Sequence, residues 1–204
     1  QSLTTAQHDS INQMVSTVAN VLDRKVVAGV KDMLTRLAAK GVPVEGATLM
    51  ALPRVITEEG RERMLRNLRL EATPQLMQAL HEGKSFYALT PSGPVIGLAN
   101  YGSSIKQRAM IMQDLAHELG HMVRDRIWNS MDAETQAALT EDFKTDHPGK
   151  MTKSDRKKAE HEWFANHMSR AILTSLAEAT SNISNPVARL MARMYNMAMQ
   201  IWHA

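Results

Sequence analysis

His117-Glu118-Leu119-Gly120-His121 decides how the rest of this chain is read. On an α-helix, positions i and i+4 lie about 40° apart around the axis, so both imidazoles project from one face and can reach one metal ion. Glu118, between them, is placed to take a proton from a water at that ion. Gly120 carries no side chain, which lets a second helix come close beside His121.

The chain has no cysteine, so thiolate ligands and disulfides are excluded and the metal donors must be His, Asp or Glu. An HExxH helix of this kind is a zinc-binding element of metallopeptidases. A catalytic zinc ion takes three protein ligands and leaves its fourth position to water. In the HExxHxxGxxH pattern the third ligand is a His six residues after the second. Here Ile127 holds that position and Arg124 stands in place of the Gly. The third ligand is therefore sought on a later helix, in Glu160-His161-Glu162-Trp163-Phe164-Ala165-Asn166. Glu162 and Asn166 are i and i+4 and share a face, whereas the residue four beyond Glu160 is Phe164. Glu162 is the expected ligand and Glu160 the alternative. Asn166 is expected to accept a hydrogen bond from the far nitrogen of His117 or His121 and so fix its tautomer. Trp163, Phe164, Met168, Ile172 and Leu176 form the packing side of that helix.

HELGH followed by E-W-F-A-N resembles the gluzincin arrangement, in which the Glu of an E-x-x-x-[D/N] helix is the third ligand. It is also similar to the ImmA/IrrE-like zinc peptidases, whose second motif reads E-x-x-x-N-x-F-A. Glu162 and Asn166 match E-x-x-x-N; Met168 stands where that family has Phe, and Ser169 follows it. The resemblance spans residues 85–175. It implies an α+β, zincin-like fold, mostly helical with a small sheet, in which an HExxH helix is followed by a Glu-bearing helix. It also implies zinc held by His117, His121 and Glu162, with Glu118 as general base in peptide hydrolysis. Such enzymes place an edge strand before the HExxH helix, and Val95–Asn100 occupies that place.

The remaining elements follow from periodicity and turn residues. Apolar positions from Ile11 to Leu37 predict helix over 5–39, interrupted near Gly29. A short strand is expected at Ala47–Ala51. A helix opened by Thr57 is expected to run to Leu70, and another follows the Thr73-Pro74 cap. Ser85–Leu89, the turn Thr90–Pro94 and Val95–Asn100 read as a hairpin. Helices are expected at Ile105–Trp128, Ala133–Phe143 and Lys153–Ala179, with a last one beginning at Asn185-Pro186. Thr145–Met151 reads as a loop. Residues 1–41 are expected to form a helical extension and residues 42–204 the zincin-like domain.

In the expected chemistry, Glu118 accepts a proton from water and later delivers it to the leaving amine. A peptide substrate is expected to pair with the edge of Val95–Asn100, where Gly97 and Ala99 leave room. The developing oxyanion needs a further donor. Tyr101, Arg124, His147, His167 and Tyr195 are candidates, and Tyr101 is favoured because it ends the expected edge strand. Asp114 and Arg124, one turn before and one turn after the motif, suit either surface ion pairing or support of the ligands.

Composition narrows the partners. Hydrophobic residues make up 44% and charged residues 22%, the balance of a globular protein. No run approaches the roughly 18 apolar residues of a membrane span. Residues 1–20 lack the basic start and apolar block of a secretory signal. The net charge of +3 is mild, and the basic runs Arg61–Arg69 and Lys150–Lys158 carry interleaved acids and few aromatics. They read as solvated helix faces, so a protein or peptide partner is expected rather than nucleic acid or a membrane. The chain begins with Gln1, as a processed product or an excised piece would. A second reading stands beside the peptidase: a catalytically silent zincin-fold domain serving structure or interaction in a larger protein, such as a phage or mobile-element polyprotein.

Overall fold

Two antiparallel strands and a third, parallel one form a small sheet, and helices cover it. The computed structural model describes residues 2–180 and 186–203. Two helices open the chain, α1 (Thr5–Ser16) and α2 (Arg24–Ala39). The break between them falls at residues 17–23, not at the expected Gly29. Thr17 turns the chain by donating its hydroxyl to the carbonyls of Met14 and Leu49, and Asp23 caps α2 by accepting from the Lys25 amide at 2.9 Å. Gly29 lies inside α2, where a Cβ would come within 3.1 Å of the Met112 sulfur. Its small size serves helix packing.

Next come β1 (Thr48–Ala51), α3 (Glu58–Asn67) and α4 (Pro74–Glu82), the helices capped by Thr57 and by Thr73 with Pro74 in the first turn. The hairpin is β2 (Phe86–Thr90) and β3 (Gly93–Leu98). Helix α5 (Ile105–Ile127) begins with a capping box between Ser104 and Gln107 and ends in a short 3-10 turn, Trp128–Ser130. Helices α6 (Ala133–Asp146), α7 (Lys153–Thr180) and α8 (Pro186–His203) complete the chain. Asn185, part of the expected start of the last helix, lies outside the described residues.

The strand order is β1-β3-β2, with β1 parallel and β2 antiparallel to β3. This corrects the expected edge. Residues 95–98 lie in the central strand, bonded on both sides, and β2 is the outer strand on the hairpin side. Gly97 accommodates the ring of Phe86, whose Cε1 lies 2.3 Å from where a Cβ would stand. Ala99 is buried, and its amide donates to Ser85 Oγ at 2.8 Å. Neither residue leaves space for a substrate backbone.

One hydrophobic core contains Met33 and Leu34 of α2, Ile96 and Leu98 of β3, Ile111 and Leu115 of α5, Leu173 and Leu176 of α7, and Tyr195 of α8. The N-terminal helices expected as an extension thus share the core of the sheet and the motif helix. Burying such side chains is worth about 1.5–3 kcal/mol each, the main force holding α5 in place. A smaller cluster, including Leu52, Leu76, Leu80 and Phe86, joins α4 to the sheet. No helix among the described residues is long and apolar enough to cross a membrane.

Candidate metal centre

Helices α5 and α7 touch backbone to backbone at Gly120. A Cβ there would lie 2.6 Å from the Ala165 carbonyl oxygen and 3.1 Å from its Cα, so no larger residue fits without moving a helix. This contact brings Glu162, one turn before Ala165, against the two motif imidazoles. Glu162 Oε2 lies 3.3 Å from His117 Nε2, and Oε1 lies 3.0 Å from His121 Nε2. One donor atom from each of the three residues lies within 4.8 Å of the others. Bonds of about 2.1 Å in a tetrahedral zinc site put ligand atoms about 3.4 Å apart, near the two carboxylate–imidazole distances here. Two imidazoles and one carboxylate are also a donor set that zinc takes. Glu160 is not in this cluster.

The charges are consistent with this grouping. Hydrogen bonding to His117 and His121 holds the Glu162 carboxyl well below the usual carboxylate range, against the opposing effect of burial. Burial lowers the His121 pKa despite Glu162. At His117 burial also acts downward, but Glu162 and the nearby acids prevail and raise it. Glu118 is 7% exposed. Burial pushes its carboxyl up to about 8, with Asp114 and Glu162 adding to the rise and His117 opposing it. A carboxylate with a pKa near neutrality is suited to receive and return a proton.

His117, Glu118, His121 and Glu162 line a cleft of about 660 Å³. Residues 85–89, which include most of β2, form one part of its lining, and Thr73, Gln75 and Leu76 at the start of α4 form another. The outer strand that faces the site is therefore β2. A separate cavity between α6 and α7, lined by Trp163, His167 and Asp146 among others, contains none of the three donors.

Asn166 hydrogen-bonds neither imidazole, and its expected place at His121 is taken by His161. His161 Nδ1 lies 2.7 Å from His121 Nδ1, and His161 Nε2 lies 2.9 Å from Asp125 Oδ1. The other Asp125 oxygen accepts from the Tyr87 hydroxyl at 2.6 Å. Sequence reasoning missed these three residues, although two signals were available. His161 adjoins Glu162, and Asp125 lies one turn beyond His121 on the same face.

Tyr101 does not line the cleft. Its hydroxyl donates to Asp114 Oδ2 at 2.6 Å, and burial beside that carboxylate raises its pKa. The same oxygen of Asp114 accepts from Ser85 at 2.5 Å, so Asp114 turns inward rather than pairing across a surface. The other oxyanion candidates are also engaged away from the cleft. Arg124 stacks over Trp128, with 4.3 Å from guanidinium carbon to ring centroid. His147 stacks on Phe143, His167 packs against Trp163, and Tyr195 is buried with its hydroxyl 3.1 Å from Asp32.

No family model, curated protein or solved structure matches this chain.

Proposed function

We propose that this chain is a zinc-dependent peptidase with a zincin-like fold, in which His117, His121 and Glu162 hold the metal and Glu118 is the general base. The observation that carries this reading is the grouping of those three donors beside a buried carboxylate in one cleft. Zinc in such a site supplies Lewis acidity and makes water acidic enough to react at neutral pH. The protein supplies the rest. Glu118 takes the proton of the attacking water and returns it to the departing amine. Burial favours its neutral form, so it is a strong enough base to accept a proton near neutral pH. The outer edge of β2 offers main-chain groups to which an extended peptide can add as a further strand, with its scissile bond carried past Glu118. Main-chain pairing of this kind tolerates many side chains, so the substrate class is an extended or unfolded peptide segment.

The test compares the zinc-loaded protein with its Glu118→Gln variant on a mixture of unstructured peptides. The amide keeps the shape but accepts no proton. Expected is cleavage by the wild type and a rate about 10²–10⁴-fold lower for the variant at equal zinc content. Equal rates, or no cleavage by the zinc-loaded wild type, would reject the peptidase reading.

A further inference from the structure

We propose that His161 and Asp125 are positioning residues that set the tautomer of His121, with Tyr87 anchoring the far end. This rests on the metal reading above. The 2.7 Å separation of the two Nδ1 atoms requires a proton between them. A neutral imidazole has one N–H and one bare nitrogen. For Nε2 of His121 to give its lone pair to a metal, its proton must be on Nδ1, pointing at His161. His161 Nδ1 is then the bare acceptor, and the proton of His161 sits on Nε2, 2.9 Å from Asp125 Oδ1. That carboxylate oxygen only accepts, so the arrangement is complete at this end too. Asp125 is held in turn by the Tyr87 hydroxyl.

With both rings neutral, this is the placement in which His161 donates to Asp125 and His121 Nε2 is free to ligate a metal. The opposite tautomer of His161 would turn a bare nitrogen toward the Asp125 carboxylate and leave two acceptors facing each other. The first placement leaves His121 Nε2 bare and facing Glu162 Oε1, 3.0 Å away, two electron-pair donors that a metal ion between them would join. The His121 ring is also flanked by the Tyr87 ring, 5.9 Å between centroids and 10° between planes. Tyr87 thus fixes both the ring's surroundings and the end of the chain of hydrogen bonds. Partners of this kind typically contribute 10–100-fold in metal affinity.

Chelator competition with zinc alone tests the role. His161→Phe keeps a ring but removes the acceptor, and is expected to bind zinc about 10–100-fold more weakly than the wild type. His161→Asn places an amide oxygen near the former Nδ1 position and is expected to recover most of that loss. Wild-type affinity in the Phe variant, or equal losses in both, would overturn the relay. Failure of the wild type to bind zinc would instead overturn the metal reading. Nitrogen-15 spectra of the zinc-loaded wild type give a second measurement that does not depend on a variant folding. Expected are a proton on His121 Nδ1 and a coupling across the hydrogen bond to His161 Nδ1. A His121 ring protonated on Nε2 would reject the assignment.

Discussion

Gly120 on α5 and Ala165 on α7 are in backbone contact, and that contact sets the distance between the HExxH imidazoles and Glu162. A methyl group at position 120 would stand 2.6 Å from the Ala165 carbonyl oxygen. Neither helix can yield cheaply, because both are anchored in the same core.

Gly120→Ala is therefore expected to force α5 and α7 apart, destabilise the protein by about 1–3 kcal/mol and weaken zinc binding. Gly149→Ala, where a Cβ meets nothing within 4 Å, is the control and should change neither. Denaturant unfolding and zinc competition measure both effects. Wild-type behaviour of Gly120→Ala would show that the helix spacing does not set the site.

His117→Ala and Glu162→Ala are each expected to lose most bound zinc, since each removes one of three grouped donors. Metal analysis of the purified variants decides this. Full zinc in Glu162→Ala would move the third-ligand role to Glu160 or remove it.

Glu118 is expected to give the metal-free protein a pH dependence of known sign. Its folded pKa is raised, from 4.5 to about 8. Between these values the folded protein holds a proton that the unfolded chain has released, so stability falls as pH rises through that window and levels off above it. Glu118→Gln abolishes this titration. The stability of the variant relative to the wild type should rise across that interval and be flat on either side. Parallel melting-temperature curves for the two proteins would contradict the raised value.

Tyr101→Phe is expected to leave peptide cleavage intact and to cost about 1.5–3 kcal/mol of stability, the worth of a hydrogen bond to a carboxylate. The hydroxyl lost is one that serves Asp114, which keeps its bond from Ser85. A collapse of the cleavage rate at unchanged stability would restore Tyr101 as an oxyanion donor.

Much of the fold was legible in local signals. Thr57, Thr73-Pro74 and Ser104 mark the starts of α3, α4 and α5, because a cap is made by residues two or three positions apart. The hairpin at 86–98 was readable from its turn residues. The break between α1 and α2 was not. Thr17 turns the chain there partly through the carbonyl of Leu49, a residue 32 positions away.

The motif spacing by itself put two imidazoles and Glu118 on one helix face, and the helix period alone paired Glu162 with Asn166. Gly120 also marked where a second helix would approach. Tertiary structure decided the rest. Parallel pairing of Thr48–Ala51 with Val95–Leu98 made β3 central and gave β2 the outer place beside the cleft. At His121 the partner of Nδ1 is His161, 40 residues away in sequence, not Asn166. Helix periodicity and caps depend on neighbours along the chain and are written in them. Strand order and the partner of a ring nitrogen depend on how distant segments pack, and that is settled by burial of the shared core.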